Sequence, residues 1–524
     1  MEGTSMINWL TLGDVARENG RRFPAKTAAV DGSRRFDYRS LDQRTTQMAN
    51  ALTSSGVRHG DAILWLGQNS FRVLELLVAA SKIGAVLYPA NWRLSVAELA
   101  QIELDLDPAA VFYQLEEIGE VTQSARDRVG SRTNWFCHDA NDGEAYEALL
   151  ASGSTIDLET PVDPTAPALG IFTAAFEGKP RPALLSSQNL ILQGVLNAHL
   201  RGIFHDDVFL VSGPLFHMGV YMELLPIFLF GGTNVFVRRV DAEEICRLVD
   251  AEKCTLAYLF ELTQQQMIDV DADRRFDLSS LRSAIGPDGW FDFVQHDDSH
   301  FGDRFGGYGQ TETSGLVTYA AIGPEPKGRA GRSSPLAMVR ILDEAGSEAG
   351  VGEVGEIAVR GPLVISGYRD GEQATQHGFR LTGDLGRRED DGSITFVGPK
   401  RQMIKSGNEN IYPAEVEGCI RRMPGVVDVA VIGVPDERMR QSVKALVIAE
   451  PGARIDAAAI DAHCLAHIAP FKRPRHVEFV TSLPKRNGQI DYRQLDEEYG
   501  GGGYPSSVAT PEVTTTEVGG NRNG

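Results

Sequence analysis

An α/β fold is what this sequence predicts: a large N-terminal body of parallel and mixed sheets with a β-rich subdomain, then a small α+β segment. Three observations carry it. The chain has 524 residues, too many for one ordinary domain. Through its first part, short apolar runs alternate with apolar residues at helical spacing. After about Pro335 the texture changes to short strands and tight turns.

Taken in order, Ala62-Ile63-Leu64-Trp65-Leu66 is an apolar run bounded by Gly60-Asp61 and Gly67, which reads as a buried strand. Phe71 to Lys82 has helical apolar spacing and stops near Gly84; Ala85 to Pro89 reads as the next strand. Strand, helix and strand at this spacing imply a parallel crossover unit. A second unit follows in Val208 to Val211, a helix near Leu224, and Thr233 to Val237. Residues 335–397 form the β-rich subdomain, with turns at Asp343-Glu344-Ala345-Gly346 and Asp390-Asp391-Gly392. From Gly398 to about Tyr499 an α+β segment carries strands over Val427 to Val434 and Lys444 to Ile448. Residues 500–524 are rich in Gly, Ser, Thr and Pro, a composition that predicts a disordered tail. There are no internal repeats.

Composition excludes several functions. Hydrophobic content of 42% and charged content of 23% are globular values. A net charge of −20 argues against binding a nucleic-acid backbone, which needs clustered Lys and Arg. No apolar run approaches the length of a membrane span, and Met1 to Ser5 lack the features of a secretory signal. Five cysteines without disulfide or metal spacing read as reduced thiols, and the expectation is a soluble cytoplasmic protein.

Five motifs in consistent order then support a family. They are Pro214-Leu215-Phe216-His217, Tyr308-Gly309-Gln310-Thr311-Glu312, Gly355 to Gly361, Leu381-Thr382-Gly383-Asp384 and Ser406 to Glu417. Together they resemble the adenylate-forming superfamily: acyl-CoA synthetases, luciferases and peptide-synthetase adenylation domains. The resemblance implies an N-terminal domain over 1–399 and a mobile C-terminal lid over 400–499, which turns between adenylating a carboxylate and passing the acyl group to a thiol. Hinged closure of this kind excludes water and completes a site.

The same resemblance implies roles. Thr311, Glu312 and Asp384 would contact the α-phosphate, Mg²⁺ and the ribose; Glu312 would be a metal ligand only if a Mg-nucleotide binds. A vestigial or weak nucleotide site would comprise Thr173, Gly178, Lys179, Arg181, Tyr308, Asp384 and Arg401. His217 would face the acyl pocket and is the first candidate for proton transfer, with Glu312 as a further general acid or base. Four places depart from the family pattern. In Leu483-Pro484-Lys485-Arg486-Asn487-Gly488-Gln489, glutamine stands where the family has its lysine. An amide cannot neutralise charge at the α-phosphate as an ammonium does, and losing one preorganised donor costs roughly 10²–10³ in turnover. The phosphate loop, Thr173 to Pro182, has Ala174, Ala175 and Phe176 in place of hydroxyls, and Glu177 repels polyphosphate. Pro399 also replaces the hinge arginine, and Arg438 to Gln441 replaces a Trp-Gly-Glu-like turn.

Those departures favour a ligase-fold enzyme that no longer requires ATP. It would act on a carboxylic acid, or on an acyl group borne by CoA or a carrier, by isomerisation, dehydration, cyclisation or acyl transfer, plausibly in natural-product biosynthesis. On that reading no cofactor is required, though CoA or phosphopantetheine can be part of the substrate. A slow ATP- and Mg²⁺-dependent acyl-CoA or acyl-carrier ligase is the alternative; a non-catalytic partner of a carrier protein or of an active ligase is the third. Two lesser features complete the reading. His296 and His300, four residues apart, offer metal-like spacing on what the resemblance implies is a surface helix. Asp288 is a polar residue where the acyl or adenine group would pass.

Overall fold

The computed structural model describes residues 10–130, 134–173, 181–371, 378–400, 403–407, 409–486 and 489–502. Its body rests on two sheets. The first has six strands in the order Asn134–Cys137, Ala110–Tyr113, Ala62–Leu66, Val86–Pro89, Pro167–Thr173, Arg181–Ser186. All neighbours run parallel except the last pair, an antiparallel hairpin. Ala62–Leu66 is buried at every position because helices cover both faces of a parallel sheet, and so it reads as an unbroken apolar run. The crossover helix Phe71–Ile83 is capped by the Ser70 side chain and stopped by Gly84 at φ 72.

The second sheet orders Leu256–Ala257, Val208–Val211, Thr233–Phe236, Thr27–Asp31 and Arg34–Asp37. Its crossover helix, Met218–Phe230, is apolar on all sides and almost wholly buried, which fixes where His217, at its N-cap, must sit. The expected β-rich subdomain is a four-stranded antiparallel meander of Met338–Leu342, Val354–Arg360, Arg380–Arg388 and Ile394–Pro399.

Beyond Pro399 a separate small domain has its own core, with Ile404, Ile411, Val416, Ile420, Val429, Val431 and Val443 among its buried residues. Its sheet joins Glu409–Ile411, Ile404–Ser406, Arg440–Ala449 and Val426–Asp436, with His476–Phe479 parallel to Arg440–Ala449. Helices Pro413–Arg421 and Ala457–His467 pack on it. Among the described residues, polar contacts dock the domain on the body. Arg93 meets Glu409 at 2.6 Å, Lys472 meets Glu98 at 2.7 Å, and Ser95 Oγ donates to the His467 carbonyl at 3.4 Å.

One sequence expectation is corrected. His296 lies not on a surface helix but in the two-residue strand Gln295–His296, stacked on Phe291 at 3.7 Å between ring centroids. The helix starts only at His300, because Ser299 caps it there, and it is four residues long. The tail predicted to be disordered lies, beyond Gly502, outside the described residues. Among the described residues, no helix is long and apolar enough to cross a membrane.

Candidate active site

Two side-chain clusters meet where the body faces the small domain. The first grows from a tight turn. Gly307–Gln310 pairs antiparallel with Gly315–Tyr319, and the 3-10 turn Thr311–Thr313 joins them. The turn closes through Ser314 at φ 55 and Gly315 at φ 102; a Cβ on Gly315 would lie 2.5 Å from Met222 Sδ. Only glycine brings this turn so close to the helix that follows His217.

Glu312, buried in the turn, accepts from Tyr368 Oη at 2.9 Å and from Arg380 at 3.4 Å. Both contacts are to Oε1, and a carboxylate here is the kind of oxygen ligand that Mg²⁺ seeks. Tyr308 donates its hydroxyl to Asp384 Oδ2 at 2.8 Å, and Gln310 Nε2 donates to that hydroxyl and to the Thr382 carbonyl. Asp384 is pushed up to about 6, by burial first and then by the charges of Glu312 and Glu356, against the opposing Tyr308 bond. Glu312 and Asp384 thus lie close enough for one charge to raise the other, two carboxylates of the donor type a Mg-nucleotide would need.

Thr173 and Arg181 face each other across the antiparallel hairpin, Thr173 Oγ1 donating to the Arg181 carbonyl at 3.1 Å. The Arg181 guanidinium pairs with Asp370 at 2.7 Å and lies 4.2 Å over the Tyr368 ring, one side chain from Glu312. The structure thus brings together Thr173, Arg181, Tyr308, Glu312 and Asp384. Thr311 is half-buried beside them. Gly178, Lys179 and Arg401 lie outside the described residues.

The second cluster centres on His217. The side chain is 40% exposed, yet Nε2 is buried without a hydrogen-bond partner among the described residues. Burial lowers it to about 4, helped by Arg93 and Lys405; a ring this open keeps some hydration, but the imidazole is neutral at pH 7. Glu409 from the lid stands 4.0 Å away and holds Arg93. Arg93 also lies over the rings of Trp92 and Phe216. Lys405, on the strand paired with Glu409–Ile411, is lowered by burial and then by Arg440. Tyr412 joins the two clusters: burial raises its hydroxyl, and Glu312 and Asp384 raise it further. Beside His217, Gly213 and Gly219 leave room for the Tyr258 ring, which a Cβ on either would strike.

The backbone of Gln489 belongs to the hairpin Lys485–Arg486 with Gln489–Ile490, and Lys485 is tied to Asp428 of the same domain at 3.3 Å. Asp288 is exposed in the turn before Trp290. Sequence reasoning did not single out Arg93, Tyr368, Arg380, Lys405 or Glu409. Glu409 and Lys405 flank or sit in the quoted Ser406 to Glu417 motif, whereas Tyr368 and Arg380 carry no local signal.

This geometry has known counterparts. The family model for AMP-binding enzymes matches residues 16–369, and that for the AMP-binding enzyme C-terminal domain matches 415–488. A feruloyl-CoA synthase of an Amycolatopsis species is 34% identical over 501 residues, 93% of this chain and 99% of that protein. Indoleacetate–CoA ligase of Aromatoleum aromaticum is 33% identical over 490 residues, 90% of this chain and 95% of that protein. Among solved structures, o-succinylbenzoate CoA synthetase of Bacillus subtilis superposes with a TM-score of 0.77 at 22% identity, covering 92% of this chain and 98% of that one. ATP-bound MatB of Rhodopseudomonas palustris gives 0.64 at 25% identity, covering 94% and 99%.

Proposed function

The chain belongs to the AMP-binding enzyme family and is an acyl-CoA synthetase-like enzyme; we propose that it passes an already activated acyl group to a thiol such as CoA or a carrier's pantetheine, and that its own activation of acids with ATP is weak. The carrying observation is which lid element meets the body. The Ile404–Ile411 hairpin contributes Glu409 to Arg93 and His217, while the Gln489 hairpin is engaged within the lid. Thiol capture in this pose does not call on position 489. Adenylation does, in the family pattern, and glutamine there supplies no charge.

Arg93 and Lys405 act on His217, and Arg440 and Glu409 act on Lys405, so among the described residues these neighbours are mostly cationic. Such surroundings lower a thiol's pKa, so the proton leaves to solvent and the sulfur attacks as thiolate. A C–S bond forms at the acyl carbonyl, and the bond to the leaving phosphate oxygen of AMP, or to the sulfur of a donor thioester, breaks. His217, neutral at pH 7, is too weak a base for that proton and instead borders the acyl group beside Tyr258 and Phe216. This aromatic border, with the names of the two relatives, favours an aryl-substituted acid. The test is to supply feruloyl or indoleacetyl adenylate with CoA and no ATP, following the thioester by mass. Thioester formation above the uncatalysed rate is expected; none would overturn the proposal.

A second reading, a slow ATP-dependent acyl-CoA ligase, is favoured by the neighbouring carboxylates Glu312 and Asp384, held by Tyr368 and Tyr308, which supply the donor type a Mg-nucleotide needs. Pyrophosphate release from ATP and the free acid, as fast as capture from the adenylate, would establish it.

A further inference from the structure

Away from the active site, the lid carries a cluster that the acyl chemistry does not use. We propose that Cys419, His463 and His467 form a site for a thiophilic divalent cation of the Zn²⁺ class. One ligand atom from each lies within 4.8 Å of the others. His463 and His467 are four residues apart on the helix Ala457–His467 and so share a face. Cys419 comes from the packed helix Pro413–Arg421. The two imidazole rings lie 4.2 Å apart between centroids.

The donors are prepared for metal. His463 Nε2 pairs with the Cys419 carbonyl at 3.1 Å, and His467 Nδ1 with the His463 carbonyl at 2.7 Å. A ring nitrogen that donates to a carbonyl fixes the tautomer and leaves the other nitrogen its lone pair, as in established histidine–metal sites. One sulfur and two nitrogens select a borderline-soft ion and reject Mg²⁺ and Ca²⁺. Tetrahedral Zn²⁺ would hold these atoms about 3.3–3.6 Å apart, so binding would draw the three side chains closer together. The exposure of His467 gives the ion its entry path.

Occupancy would matter because of where the site lies. It ties two lid helices together at the turn that docks on the body. His467 accepts from Ser95 through its carbonyl, and Ala469, two residues on, packs into the body's core. A bound ion would steady the lid in the pose described above.

The test is titration of the untagged full-length chain, with thiols reduced, by Co²⁺ and then by Zn²⁺ in competition. The expected result is one equivalent of Co²⁺ with a thiolate-to-metal charge-transfer band, displaced by Zn²⁺. Cys419→Ser should remove that band. His467→Asn, an exposed change that leaves the core intact, should weaken Zn²⁺ at least ~10-fold. Absence of a stoichiometric Co²⁺ spectrum, or Zn²⁺ affinity unchanged in His467→Asn, would overturn the proposal.

Discussion

Replacing Lys472 with methionine should loosen the lid from the body as well as destabilise it. The ammonium is 5% exposed and bridges Glu98 of the body at 2.7 Å and Glu415 of the lid. Those carboxylates are themselves 12% and 7% exposed. Removing the cation leaves two buried acids facing each other, and deleting one partner of such a pair costs about 3–5 kcal/mol. Because one acid lies on each side of the dock, roughly half, about 2 kcal/mol, should appear as undocking, a shift of about 30-fold in the docked fraction.

The pH dependence has a definite sign. Burial holds Glu415 above the ordinary carboxylate range, and Lys472 is the group that opposes this. Without the lysine its folded value rises further above the unfolded one. A group so raised contributes stability below the unfolded pKa and loses it as pH climbs through the folded one. The variant should therefore lie nearest the parent at pH 5 and furthest from it at pH 7.5. Denaturant unfolding at both pH values, with proteolysis at the 399–403 junction, measures the two effects. A loss under about 1 kcal/mol at pH 7.5, with unchanged cleavage, would refute the reasoning.

Three further outcomes follow from the site. Asp384, raised to about 6, loses stability for the fold as pH rises through that value. Asp384→Asn should thus be more stable than the parent at pH 7.5, by about 1–3 kcal/mol at 1.36 kcal/mol per unit, and nearly equal at pH 4.5, while AMP binding weakens. Arg93→Ala removes the second cause that depresses His217, after burial, so NMR titration should show its imidazole moving up from about 4; an unmoved value would separate the two residues. Glu312→Gln should weaken Mg-nucleotide binding at least ~10-fold by calorimetry, because it removes the charge of the carboxylate that Tyr368 and Arg380 hold; unchanged affinity would move the metal elsewhere.

Much of the fold was legible because its signals are local. Ala62–Leu66 is unbroken apolar sequence because both its faces are covered, and Gly84 marks a helix end that needs a left-handed backbone. The Tyr308 to Glu312 motif is equally local, and its turn sets Glu312 facing Tyr368. The partners of these groups are not local. Arg93 and Glu409 are 316 residues apart, Glu98 and Lys472 are 374 apart, and neither sequence neighbourhood announces a buried ion pair. Spacing misled where a helix was assumed: His296 and His300 are separated by a strand end and a cap. The same four-residue spacing on a real helix, His463 with His467, finds its third donor 44 residues away.

The most direct measurement of the central claim compares two single-turnover rates on the wild-type protein with one aryl acid. One is capture by CoA of the preformed adenylate; the other is pyrophosphate release from ATP, Mg²⁺ and the free acid. Loss of a charged donor at the α-phosphate predicts capture faster than release by roughly 10²–10³. Equal rates, with Gln489→Lys changing neither, would contradict the account.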